Sequence, residues 1–183
     1  MKRYLVLLLL ICAGCGTRAP SDQSDTIVSM QLIDRNGFSE TISNRDRLST
    51  YQTTDFLTPQ PYQKILRVYG RNLTGQSTSR ITSYHENGQI WQYLDVIDGR
   101  AHGHYREWFA NGQLKIEAPV IEGTPDIGEL SIATWVFDGL CKVYSDQGAL
   151  TAEIPYAKGT LDSTSRYYFS SGRLQKVSGL IGR

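Results

Sequence analysis

The sequence predicts a mainly β fold: an antiparallel meander of β-hairpin repeats in a single-layer sheet, preceded by a less regular N-terminal part. Three observations predict it. Glycine recurs at fixed offsets, at Gly88, Gly112, Gly148 and Gly172, with a second set at Gly99, Gly123 and Gly159. An aromatic residue stands four places before each glycine of the first set, and an aliphatic residue two places after it. The stretches that follow alternate with period two. Leu114, Ile116, Ala118 and Val120 interleave with Lys115, Glu117, Pro119 and Ile121, the pattern of a half-buried antiparallel strand. Eleven Tyr and 17 Gly in 183 residues lean the same way, toward strands and turns.

The turn glycines lie 24, 36 and 24 residues apart. A repeat near 24 with a bend about every 12 residues is strand-turn-strand-turn. The residue before each glycine varies: Asn87, Asn111, Gln147, Ser171. A two-residue type I′ turn needs positive φ at both central positions, which Gln and Ser serve poorly. A three-residue loop ending in one left-handed residue needs it only at the glycine. That loop pairs Tyr84 with Ile90, Trp108 with Leu114, Tyr144 with Leu150 and Tyr168 with Leu174. Each is an aromatic-aliphatic pair contributing roughly 0.2–1 kcal/mol. The long interval leaves 12 extra residues within EGTPDIGELSIATWVFDG, expected as an enlarged loop at one edge of the stack.

Arg106, Lys142 and Arg166 stand two residues before Trp108, Tyr144 and Tyr168. With Tyr84 they are expected to form an aromatic-cation stripe on one face. Such a stripe can line a binding surface, or it can be a sheet rim whose charged stems lie along apolar neighbours.

The N-terminal part is read as residues 27–75 and the repeat sheet as 76–183. TIVSMQLI, from Thr26, reads as a strand closed by the turn DRNG. SNRDRLSTY can hold one helical turn capped by Ser43 or Asn44, and Pro59 and Pro61 break any longer helix. QKILRVYG reads as a second strand. GRNLTGQS imitates a phosphate loop, but Gln76 stands where the lysine belongs and strand-like sequence follows.

The first residues differ from the rest. MKRYLVLLLLICAGC has basic Lys2 and Arg3, an apolar run from Leu5 to Ile11, then small residues. This is the layout of a secretory leader, too short to span a bilayer. Ala13 and Gly14 immediately before Cys15 resemble the lipobox of bacterial lipoproteins, with Cys12 standing where Leu is usual. The resemblance implies cleavage after residue 14 and acylation of Cys15; the alternative is a plain cleaved leader with an incidental cysteine. The resemblance also implies a flexible tether over 15–26 and anchoring in a membrane of the cell envelope. Gly16 after the cysteine implies the outer membrane. Several acyl chains anchor stably, since each buried CH2 contributes roughly 0.8 kcal/mol.

Loss of Lys2 and Arg3 would reduce the basic count from 19 to 17 against 18 acidic residues. A chain this close to neutral has no broad electrostatic footprint for nucleic acid. With Cys15 acylated, Cys141 has no partner for a disulfide and reads as a small strand residue.

From Tyr84 onward, YHENGQIWQYLDVIDGRAHG, WFANGQLKIEAPVIEG, YSDQGALTAEIPYAKG and the truncated YFSSGRL resemble MORN-type repeats. They follow the bacterial variant built on Y-x-x-x-G-x-L. The resemblance implies a meander used for binding or assembly. It implies a protein partner or lipid headgroups, and a relation to antitoxins of the YwqK group. No catalytic set, cofactor or metal is expected. His102 and His104 flank a turn without further ligands, and no G-x-S-x-G or zinc spacing occurs. The sequence is therefore expected to serve as a non-catalytic scaffold or partner-binding module, or as an immunity-like protein that neutralises a partner.

Overall fold

The computed structural model describes residues 26–52 and 54–179. The leader, Cys15 and the tether up to residue 25 lie outside them, whereas Thr26 already opens the first strand. Thirteen strands form one antiparallel sheet: β1 (Thr26–Asp34), β2 (Ser39–Ile42), β3 (Gln63–Arg71), β4 (Ser77–Tyr84), β5 (Ile90–Ile97), β6 (Arg100–Trp108), β7 (Leu114–Glu122), β8 (Val136–Phe137), β9 (Gly139–Tyr144), β10 (Leu150–Ala157), β11 (Thr160–Leu161), β12 (Ser165–Tyr168) and β13 (Leu174–Ser178). Two short helices among the described residues accompany it, α1 (Arg45–Ser49) and α2 (Glu129–Ile132). The spatial order is β13-β12-β10-β9-β7-β6-β5-β4-β3-β1-β2, with β11 beside β10 and β8 beside β7. Because β3 pairs with β4 from Ile65↔Ser83 to Arg71↔Ser77, the sheet runs unbroken through the boundary at residues 75 and 76.

All four aromatic-aliphatic pairs form in the register expected from the loop: Tyr84↔Ile90, Trp108↔Leu114, Tyr144↔Leu150 and Tyr168↔Leu174. In each loop the glycine N–H donates to the carbonyl three residues back, and the glycine has φ between +80° and +86°. The same loop closes two hairpins in the N-terminal part. Gly37 and Gly75 take φ of +87° and +85°, with Ile33↔Ser39 and Arg71↔Ser77 as closing pairs. The phosphate-loop look-alike is therefore a hairpin turn. It is held by Asn72, whose Oδ1 accepts from the backbone N–H groups of Thr74 and Gln76.

Three sequence expectations are modified. First, the pairing slips by one residue beyond each aromatic-aliphatic pair, leaving Trp91, Lys115, Thr151 and Gln175 as bulges. Strict alternation from Ile90 onward therefore fails. Ile90 packs with Tyr84, while Leu94 and Val96 belong to the core on the other face. Second, the set Gly99, Gly123 and Gly159 is not uniform. Asp98-Gly99 and Lys158-Gly159 are two-residue turns with positive φ at both positions, but Gly123 starts the insertion. Third, the insertion is not confined to an edge loop. Residues 124–135 fold back across one face of the sheet and cover it over β4 to β7.

Two cores result, one on each face. On the face crossed by the insertion, here the strap face, Ile127 and Trp135 close over Ile81, Leu94, Val96, Ala101, Tyr105 and Val120. Trp135 meets the Tyr105 ring edge-on at 4.8 Å, and its indole N–H donates to the Thr124 carbonyl at 2.9 Å. Gly123 permits this approach, because a Cβ there would lie 2.5 Å from Trp135 Cδ1. Arg67 on β3 grips Asp126 of the strap at 3.2 Å. On the opposite face, α1 and the loop after it cover the N-terminal strands, with Leu48, Tyr51 and Phe56 over Met30, Leu66 and Val68. α1 is capped by Asn44, whose side chain accepts from the N–H groups of Asp46 and Arg47.

Candidate functional site

Beyond β5, no element covers the second face among the described residues. Each strand there carries one outward residue of the sequence-predicted stripe or its counterpart. The register lines up Tyr93↔Arg106, Arg106↔Glu117, Glu117↔Lys142, Lys142↔Glu153, Glu153↔Arg166 and Arg166↔Val177. Directly opposed residues on one face are nearest neighbours. The result is a row of alternating charge across β6, β7, β9, β10 and β12, and this surface is the ladder face.

The structure thus brings Arg106, Lys142 and Arg166 into one row, as the sequence suggests, but interleaves them with Glu117 and Glu153. Arg106 Nε meets Glu117 Oε1 at 3.0 Å with both side chains about a third exposed. An ion pair at that exposure contributes at most about 1 kcal/mol, so its main effect is on the character of the surface. Tyr168 donates its hydroxyl to Glu153 Oε2 at 2.7 Å, and this bond raises the tyrosine pKa.

The aromatic members run alongside, one row nearer the turns. Trp108, Tyr144 and Tyr168 are half-buried, as are Leu114 and Leu150, whereas Leu174 opposite Tyr168 is exposed. Tyr84 departs from the expectation. It is buried in the N-terminal core, with its hydroxyl donating to the Phe56 carbonyl at 3.0 Å, and burial raises its pKa. The loop after α1 covers it, so it supports the face without belonging to its surface.

The turn ends of the hairpins stack into a column beside this face. Asn87 donates to the Ala110 carbonyl of the next turn, and Asn111 to the Asp146 carbonyl of the turn after that, each at 2.7 Å. Their Oδ1 atoms accept from the N–H groups of Gln89 and Gln113 within their own turns. At the N-terminal end the column is seated on Gln60 and Pro61, with Gln60 N–H donating to the Gly88 carbonyl at 2.8 Å. Arg35 reaches the carbonyls of both Pro61 and His85. The column holds the strands of the ladder face in fixed register.

A third polar arrangement lies on the strap face. Ser83, Gln92, Tyr105, Glu107 and Lys115 form a chain of hydrogen bonds across four strands, ending in a 2.7 Å ion pair between Lys115 and Glu107. Burial raises the Tyr105 pKa, and Ile127 of the strap closes over Gln92. Gln92 ties this network to the strap, and its Lys115 end is partly exposed.

Cys141 is buried on β9, and burial pushes its thiol up to about 11. His102 and His104 are exposed. The imidazole of His102 bonds the Ile121 carbonyl, and no cluster of metal-ligating side chains occurs among the described residues. No helix among the described residues is long and apolar enough to cross a membrane. Sequence reasoning missed Glu117 and Glu153 as ladder members, because the bulges shift the pairing and the insertion hides which strand follows β7.

Comparison with known proteins adds one finding. No curated protein and no solved structure matches the chain. Residues 101–121, the hairpin formed by β6, its glycine turn and most of β7, match the MORN repeat variant, so one such repeat is placed on this chain at the start of the ladder.

Proposed function

We propose that this chain is a non-catalytic binding module of the cell envelope, held at a membrane by acyl chains on Cys15, and that its ladder face engages a protein partner. The observation that carries the reading is the asymmetry of the sheet. Among the described residues, the strap closes one face over β4 to β7 and α1 closes the N-terminal part of the other. What stays open is a register-fixed row of alternating charge beside a row of half-buried aromatics. Aromatic and Arg side chains flanked by a polar rim are the make-up of protein contact surfaces.

Glu117 and Glu153 oppose the cations of the row. This favours a protein surface of mixed charge over an anionic lipid headgroup layer, which recruits clustered unopposed Lys and Arg. The leader, the small pair before Cys15 and the polar stretch after it support the anchor, with Gly16 favouring the outer membrane. The matched repeat type also supports a second reading, an antitoxin-like protein that neutralises its partner through the same face. Deletion of this gene would then be lethal and rescued by loss of a neighbouring one.

Metabolic labelling with palmitate, followed by membrane fractionation, tests the anchor. Label on the wild-type chain in the envelope fraction and none on Cys15→Ala is the expected result. Equal labelling of both chains removes the anchor from the account.

A further inference from the structure

The hairpin of β12 and β13 differs from every other part of the sheet. It is the last hairpin of the described residues, and β13 forms one end of their strand order. All five residues of β13 are exposed, including Leu174 at 53% and Val177 at 51%. The residues from Ser165 to Ser178 contain Arg166, Arg173 and Lys176 and no acidic side chain. Five cations elsewhere pair with carboxylates: Arg47 with Glu40, Arg67 with Asp126, Arg100 with Glu122, Arg106 with Glu117 and Lys115 with Glu107. Arg173 and Lys176 instead lie over the rings of Phe169 and Tyr167, at 5.6 and 5.9 Å.

The register assigns each β13 side chain to a face. Leu174 pairs with Tyr168 and Val177 with Arg166, which places both apolar residues on the ladder side. Lys176 pairs with Tyr167, on the strap side. Alternate residues of an end strand also turn their backbone N–H and C=O groups outward, and no strand among the described residues fills that edge of β13.

We propose that β13 takes up one further strand from a partner protein, an extended segment whose side chains alternate between apolar and acidic. Its apolar residues would lie against Leu174 and Val177, and a carboxylate would stand opposite Lys176. Main-chain bonds of the added strand supply affinity, and the alternate side chains supply selectivity. A second copy fits the edge less well, because symmetric pairing about Lys176 sets two ammonium groups opposite one another. This site adjoins the ladder face along Leu174 and Val177, and it is read separately from that face through the backbone amides of β13.

The test titrates the full chain with a capped heptapeptide of alternating valine and glutamate, and with its lysine-for-glutamate counterpart. Affinity and the backbone amide shifts of β13 are followed. The glutamate peptide is expected to bind and to move the amide signals of residues 174–178. Lys176→Glu is expected to weaken it by about fivefold or more and to favour the lysine peptide, and Lys176→Gln to weaken it without that reversal. Equal affinity for the two peptides, shifts confined to other strands, or a dimer formed through β13 that excludes the peptide would each overturn the proposal.

Discussion

Asn111 donates its side-chain amide to the backbone carbonyl of Asp146 at 2.7 Å, joining two turns that are 35 residues apart in sequence. Asn87 makes the same bond to Ala110. Turn formation does not require asparagine before the glycine, but this bridge does. The third turn has Gln147 in that place, where its backbone N–H bonds the Ser145 hydroxyl oxygen at 3.3 Å. Asn111→Ala should therefore cost about 1 kcal/mol. Gln147→Asn should add up to about 1 kcal/mol, by donating to the Ser170 carbonyl of the last turn. Denaturant midpoints of the two variants check both signs, and an unchanged midpoint for Asn111→Ala removes the bridge from the account.

The loop glycines are alike in φ but unlike in surroundings. A Cβ on Gly88 would lie 2.9 Å from Pro61 Cα, a backbone atom, whereas one on Gly172 would meet open space. Gly172→Ala is expected to cost about 1–2 kcal/mol from left-handed strain alone. Gly88→Ala should cost more, because the seat of the turn column on Pro61 must also move. Thermal unfolding of the two variants gives the order, and equal losses would mean that the seat carries no weight.

Tyr84, Tyr93 and Tyr105 all have pKa values raised above the ordinary 10.0, in each case chiefly by burial. The unfolded chain ionises near pH 10 and the folded chain resists. Stability from these groups is therefore fully present below that pH and is lost as the pH rises beyond it. Tyr84→Phe gives up the bond to the Phe56 carbonyl. At neutral pH that should lower stability by about 1 kcal/mol, but the alkaline decline should become shallower. Urea titrations at about pH 8 and about pH 11 separate the two effects, and a decline as steep as in the parent chain contradicts the assignment.

The turns were legible in the sequence because they obey local rules. Glycine at a left-handed position, with an aromatic four before it and an aliphatic two after it, marks the closing pair of each repeat hairpin, and of the two cap residues the sequence offers, Ser43 and Asn44, Asn44 caps α1. Gly37 and Gly75 close the same loop, but Ile33 and Arg71 stand where an aromatic would have marked the repeat. The rest depends on tertiary placement. The bulges at Trp91 and Lys115 shift the facing residues by one, so counting outward from the loop sets Arg106 against Ile116 instead of Glu117. The pairing of Glu117 with Lys142 crosses the insertion, whose route over the strap face is fixed by Trp135, Ile127 and Asp126 meeting distant strands. Tyr84 looked equivalent to the other aromatics, and only the fold of residues 45–60 shows that it is covered.

The claim that the ladder face is the contact surface is tested most directly by site-specific photocrosslinking in cells. A photoreactive side chain is placed at Tyr144 or Tyr168 on that face, and at Phe38 or Leu130, which are 75% and 89% exposed elsewhere. The account predicts the same covalent adduct from positions 144 and 168 and none from 38 and 130. Adducts of equal yield at all four positions, or adducts only at 38 and 130, would contradict it.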